Sequence, residues 1–235
     1  MRLVIELEPL SEIPYNYLNK HAIQGLIYYL LKDTSFDNLH SSSKFKYFTF
    51  SDIFPISDFK PGFKKTLLFS SPSNDLINEL YNSILRYRTI KIKNLNFNVI
   101  SVKKIKLNLT NRFISGSPIV LYKDNKSNEY FSFEKHNDLN FFLERIKENA
   151  IKKYNTYFGE SIILNEPIFD KMKFKKEVVI KDFKSGKEFI IIGSVWKLLE
   201  KFHIPDRLYN FYEFVMDCGL GEKNSLGYGF INPVR

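Results

Sequence analysis

Lys173-Phe174-Lys175-Lys176-Glu177-Val178-Val179-Ile180-Lys181-Asp182 and Glu188-Phe189-Ile190-Ile191-Ile192-Gly193-Ser194-Val195-Trp196 flank Lys184-Ser185-Gly186-Lys187. β-branched and aromatic residues recur in both runs, and a short Gly-containing turn separates them. This is the pattern of a hairpin. Helical patterns lie on either side. In residues 138–154, Leu139, Phe142, Leu143, Ile146 and Ala150 recur at helical spacing, and they are expected to face inward. Pro205-Asp206 opens a second helix with Leu208, Phe211, Tyr212 and Val215 inward, and Gly219 is its expected C-terminal cap. Further out, residues 117–122 read as a strand with a weak partner at 130–133, and 227–234 as a final strand. The order is strand, helix, two strands, helix, strand.

The first half has the same order. Residues 2–8 alternate around Leu3, Ile5 and Leu7. After Pro14, a helix is expected over 15–32. Leu18, Ala22, Ile23, Leu26, Ile27, Tyr29 and Leu30 fill one half of its wheel, while Tyr17, His21, Gln24 and Tyr28 share the other. Residues 45–51 and 65–70 read as strands. Ser71-Pro72-Ser73-Asn74-Asp75 is a helix start, followed by a stripe of Leu76, Ile77, Leu80, Tyr81, Ile84 and Leu85. Residues 90–109 are strand-like, broken near Asn94 or Asn96. The expectation is an α+β protein of two tandem ferredoxin-like (βαββαβ) domains, 1–112 and 113–235. The halves share element order without sequence similarity. RNA-recognition motifs use this architecture, although the fold alone does not decide a function.

Composition narrows the partner. The 235 residues are 44% hydrophobic and 16% aromatic, with 23 Phe and 14 Tyr, enough for a proper core. Thirty-five Lys and Arg oppose 26 Asp and Glu, a net charge of +9, which favours a polyanion, nucleic acid first. A single cysteine, Cys218, rules out a disulfide framework and a Cys-x-x-Cys zinc site. The four histidines, His21, His40, His136 and His203, have no metal-ligand spacing. No metal and no cofactor are expected. The short, charged N-terminus is unlike a signal peptide and no apolar run would span a bilayer, so a soluble cytoplasmic protein without a membrane partner is expected.

A glycine cluster stands near the end: Cys218-Gly219-Leu220-Gly221-Glu222-Lys223-Asn224-Ser225-Leu226-Gly227-Tyr228-Gly229-Phe230. Backbone N–H groups in such a stretch, with a lysine, suit a phosphate. It is neither a P-loop nor a dinucleotide fingerprint. A tight helix-to-strand turn is the plain alternative.

The cluster resembles the C-terminal motif of the CRISPR-associated endoribonucleases that cut precursor CRISPR RNA within its repeats: Gly-x-Gly, a polar run, then Gly-aromatic-Gly. The N-terminal half agrees through Pro14-Tyr15-Asn16-Tyr17, Gln24-Gly25-Leu26-Ile27-Tyr28, Leu39-His40 and Lys46-Tyr47-Phe48-Thr49-Phe50-Ser51. The resemblance implies metal-independent cleavage. The 2′-hydroxyl attacks the adjacent phosphate, giving a 2′,3′-cyclic phosphate and a 5′-hydroxyl. It implies Tyr28, His40 and Lys46 as the catalytic residues, each at its motif position. Gly219, Gly221, Lys223, Asn224, Ser225, Gly227 and Gly229 would bind RNA. CRISPR repeat RNA is the implied partner, with no DNA required, and a homodimer and the CRISPR interference complex are left open. His21 is the rival histidine, since it shares a helix face with Tyr28. Arg112, Lys171, Lys173, Lys175 and Lys176 are phosphate contacts on position only. The competing readings are a non-catalytic RNA-binding module of the same fold and a ferredoxin-like enzyme of metabolism that binds a small phosphate.

Overall fold

A computed structural model describes residues 1–124, 126–184 and 187–234, with only the backbone at 182–184 and 187–188. The chain divides into two compact units, Met1–Leu107 with Ser225–Gly227, and Asn108–Asn224 with Tyr228–Arg235.

The first unit runs β1 (Arg2–Pro9), α1 (Lys20–Leu30), β2 (Thr49–Phe50), β3 (Lys65–Ser70), α2 (Asn74–Leu85), β4 (Thr89–Ile92) and β5 (Leu95–Ile105). Its sheet order is β2-β3-β1-β5-β4, and every pairing is antiparallel. Strands β5, β1, β3 and β2 take the 4-1-3-2 order of the ferredoxin-like fold, and β4 is an added edge. Leu3, Ile5 and Leu7 alternate onto one face and are buried there with Leu67 and Phe69 of β3. Leu26, Ile27 and Leu30 of α1 and Leu76, Ile77, Leu80 and Ile84 of α2 belong to the same core.

The boundaries of α1 are set by a cap. Asn19 accepts a hydrogen bond from the Ala22 N–H, so the α-helix begins at Lys20 and the expected helix from 15 is a 3-10 turn there, Tyr15–Tyr17. The strand expected at 45–51 is only Thr49–Phe50, because Tyr47 adopts a left-handed φ of 46° that breaks the extended run. Ser73 caps α2 on Leu76, at the helix start read from sequence. Two side chains placed inward are exposed: Tyr29 at 61% and Leu85 at 56%.

The second unit runs β6 (Arg112–Ser115), β7 (Tyr122–Asp124), β8 (Glu129–Tyr130), α3 (Phe133–His136), α4 (Leu139–Phe158), β9 (Lys171–Lys184), β10 (Lys187–Glu200), α5 (Tyr209–Cys218) and β11 (Ile231–Pro233). Its four-stranded sheet has the order β11-β6-β10-β9, again 4-1-3-2, and β7-β8 form a separate ribbon. The long hairpin is present, with Lys187 opposite Lys184. The Lys184-Ser185-Gly186-Lys187 turn itself lies outside the described residues. The first strand of this sheet is Arg112–Ser115 rather than 117–122, where Ile119 and Val120 make only isolated bridges. The final strand is Ile231–Pro233, because Gly227 and Gly229 have φ of 77° and 68° and cannot extend it backwards. Leu139, expected inward, is 51% exposed. Among the described residues, no helix is long and apolar enough to cross a membrane.

Candidate active site

In the first unit, the three residues singled out from the N-terminal motifs meet. Tyr28 projects from α1. His40 ends a 3-10 turn (Asp37–Leu39), and its ring lies edge-on to Tyr28 at 4.8 Å. Lys46 Nζ donates to the Tyr28 hydroxyl at 3.1 Å and to the His40 carbonyl at 2.9 Å. One ammonium thus holds the phenol and closes the loop that carries the histidine. Tyr28 was expected on the polar face, yet it is half-buried and packs against the core. Burial pushes its hydroxyl up to about 12, and a hydrogen bond with the Ser225 side chain works in the opposite direction.

His21 lies seven residues before Tyr28 on the same helix, about 10 Å along the axis at 1.5 Å per residue. The imidazole against the Tyr28 ring is that of His40.

Residues 225–227 belong to this unit through one stripe of α1. Lys20, Gln24 and Tyr28 are spaced by four, so they line a single face. Lys20 Nζ donates to the Gly227 carbonyl at 2.9 Å and to Asp52 at 2.7 Å. The Gln24 amide donates to the Ser225 carbonyl at 2.8 Å. At Gly227 any Cβ would overlap the ring of Phe50. Gln24 was noticed as a neighbour of Tyr28 on the wheel, whereas nothing in the sequence paired it with Ser225.

In the second unit, the rest of the glycine loop is built on a buried lysine. Lys153 of α4 donates to Gly219 O at 2.7 Å, Asn224 Oδ1 at 2.8 Å and Gly221 O at 3.1 Å. The Asn224 amide donates in turn to Leu220 O at 2.9 Å and Tyr228 O at 3.0 Å. The polar side chain of Asn224 therefore shapes the loop. Burial lowers the Lys153 pKa, while Cys218 and Glu222 nearby raise it. Gly229 passes so close to the Leu220 carbonyl that a Cβ would overlap it.

Glu222 anchors the loop to the ribbon. It accepts from the Tyr122 N–H at 3.0 Å and from Arg145 at 3.2 Å. Burial raises its pKa, and Arg145 counters this. Lys223 Nζ lies 5.5 and 5.7 Å from the ring centres of Tyr122 and Tyr130, which stack 4.8 Å apart. Arg112 is engaged by Glu200 at 2.6 Å, and Lys171, Lys173, Lys175 and Lys176 stand exposed on β9. Among the described residues, no group of three or more His, Cys, Asp or Glu side chains is gathered to hold a metal ion.

Phenol, imidazole and ammonium in contact can move protons and stabilise negative charge. Tandem ferredoxin-like sheets with a glycine loop point to the class of CRISPR-associated RNA-cutting proteins whose motifs the sequence resembles. Residues 100–233 match the family model "CRISPR associated protein Cas6, C-terminal". The chain belongs to the Cas6 family. It is 46% identical, over the full length of both chains, to the CRISPR-associated endoribonuclease Cas6 2 of Methanocaldococcus jannaschii. A solved structure of a CRISPR associated protein Cas6 superposes with a TM-score of 0.72 at 24% identity, covering 100% of this chain and 99% of that one. A RAMP protein binding different RNA substrates superposes with a TM-score of 0.73 at 20% identity, covering all of both chains.

Proposed function

We propose that this chain cuts precursor CRISPR RNA within its repeats by attack of a 2′-hydroxyl on the adjacent phosphate. That it is an endoribonuclease follows from its family. The observation that carries the choice of residues is the contact of Lys46 with both the Tyr28 hydroxyl and the His40 carbonyl. In this reading, a base takes the 2′-hydroxyl proton, and O2′ bonds to phosphorus as the bond to O5′ breaks. An acid returns a proton to O5′. The products are a 2′,3′-cyclic phosphate and a 5′-hydroxyl. His40 supplies one of the two proton transfers, since an imidazole has one nitrogen that accepts a proton and another that donates one. Lys46 stabilises charge developing on the phosphate, and Tyr28 donates from its phenol.

The first domain supplies the cutting residues. The second supplies the RNA-binding loop of Gly219, Gly221, Lys223, Asn224 and Gly229, and Ser225 and Gly227 of the same loop lie in the first unit. In this reading the enzyme works in the cytoplasm on CRISPR repeat RNA, and a homodimer and the CRISPR interference complex stay open as partners.

The test is cleavage of labelled repeat RNA in EDTA at saturating protein, comparing the intact chain with His40→Ala. Loss of cleavage by about a hundredfold or more, with a cyclic-phosphate product from the intact protein, is the expected result. Undiminished cleavage by His40→Ala would move the role to another residue. Tight binding without cutting by the intact chain would favour the non-catalytic RNA-binding module.

A further inference from the structure

We propose that an open groove on the second domain, apart from the cutting site, holds an unpaired base of single-stranded RNA. The groove has a volume of about 530 Å³, within the roughly 300–1,000 Å³ of small-ligand sites. Phe133, Phe169, Phe174, Trp196 and Leu139 form most of its wall. The rings are set against one another: Phe133 to Phe174 at 5.2 Å, and Phe174 to Trp196 at 5.4 Å and 80°. Phe174 is 45% exposed, although packing among neighbouring rings holds it in place. An exposed but immobilised ring is what a base needs for stacking.

The polar groups at the groove agree. Asn137 lies in the left-handed region at φ 45°, and among the described residues its side-chain amide makes no hydrogen bond. An amide offers both donors and an acceptor to a base edge. The carboxylates around the groove are occupied. Asp170 accepts from Lys201 at 2.9 Å and from the Phe202 N–H at 2.8 Å. Glu177 accepts from Ser132 Oγ at 2.7 Å and the Phe133 N–H at 2.6 Å. Asp138 caps α4 through the Phe141 N–H at 2.9 Å.

The lysines are not so engaged. Lys171, Lys173, Lys175 and Lys176 alternate with or follow the groove residues Met172 and Phe174 along the edge strand β9. All four are exposed, and none is ion-paired among the described residues. With Met172 and Phe174 in the groove, strand alternation turns Lys171 and Lys173 to the other face of this edge strand, so rings and cations lie on the two sides of one exposed edge, which fits bases and phosphates of a strand running along it. They fit a second copy of this chain poorly, because each copy carries +9 and would set lysines against lysines.

Trp196 is the only tryptophan in the chain, so its fluorescence reports on this groove alone. The full-length protein is titrated with a short 2′-O-methyl oligoadenylate, which its own 2′-oxygens cannot cut. A parallel titration uses an abasic oligonucleotide of equal length and charge. Quenching of Trp196 by the oligoadenylate but not by the abasic strand is expected. Phe174→Ala should weaken that response about tenfold, and Phe174→Tyr should preserve it. Equal quenching by the abasic strand, or an unchanged response in Phe174→Ala, overturns the proposal. A Trp196 signal that depends on protein concentration without RNA also overturns it, by making a second copy the occupant. The comparison of the two strands on the unaltered protein needs no variant to fold. Since the probe is uncuttable, the outcome is separate from whether repeat RNA is cleaved.

Discussion

Burial makes Tyr28 hold its proton more tightly than an ordinary phenol does. With its hydroxyl pushed up to about 12 by burial, it is suited in the proposed mechanism to donating a hydrogen bond rather than to serving as the base. Lys46 and Ser225 both approach its oxygen, which uses that oxygen's two lone pairs and leaves the phenolic proton to be given elsewhere. Tyr28→Phe should therefore slow cleavage by roughly tenfold while leaving the limb of the pH–rate profile near neutrality in place. Displacement of that limb would assign the titration to Tyr28. The same shift has a sign for stability. Between the ordinary value of 10.0 and about 12, the folded chain holds a proton that the unfolded chain has released. Stability is full below that window and is lost as pH rises through it, and Tyr28→Phe should flatten the fall in an alkaline unfolding series. The sequence placed Tyr28 outward and Tyr29 inward, and the structure has Tyr29 exposed. Both sit near the edges of the apolar arc, where the wheel cannot weigh the hydrogen-bond partners that favour one phenol over the other.

At the scale of elements, α4 does more than fill the second core. Its buried stripe of Phe142, Ile146, Ala150 and Tyr154 includes Lys153, 3% exposed. Lys153→Met should leave three acceptors of the glycine loop unpaired. Each costs roughly 1–3 kcal/mol, partly offset by no longer burying a charge, so a net loss of about 2–4 kcal/mol is expected in denaturant unfolding. RNA affinity should fall further than kcat at saturating RNA, because the loop loses its shape while, among the described residues, Lys153 itself makes no hydrogen bond with Tyr28, His40 or Lys46. Nothing local in the sequence marks Lys153 as a buried anchor, since its targets lie 66 to 71 residues away. What was legible was whatever repeats locally: the alternation of β1, the β9–β10 hairpin and the helix starts at 71–75 and 138. What was missed depends on single dihedrals, such as Tyr47 and Gly229 ending strands that composition alone would extend.

For the whole molecule, a net +9 makes RNA affinity a function of salt. Each phosphate contacted on a single strand should contribute about −0.7 to the slope of log affinity against log salt, and a slope of several such units is expected. A slope near zero would instead suit an enzyme for a small phosphate. Gly227→Ala joins a left-handed φ of 77° to an overlap with Phe50, so it should cost at least about 1 kcal/mol and cut cleavage with it. Comparing thermal unfolding and repeat cleavage of that variant with the parent checks both.

Ser225 follows Leu107 by 118 residues, yet both belong to the first unit. Ribosomes add roughly 5–20 residues each second. A newly made first sheet therefore waits about 6–24 s before the segment that meets Lys20, Gln24 and Tyr28 has even been synthesised. Through that interval, the nascent chain carries the phenol, imidazole and ammonium without Ser225. The Ser225 contact is therefore the last part of this cluster that translation can supply.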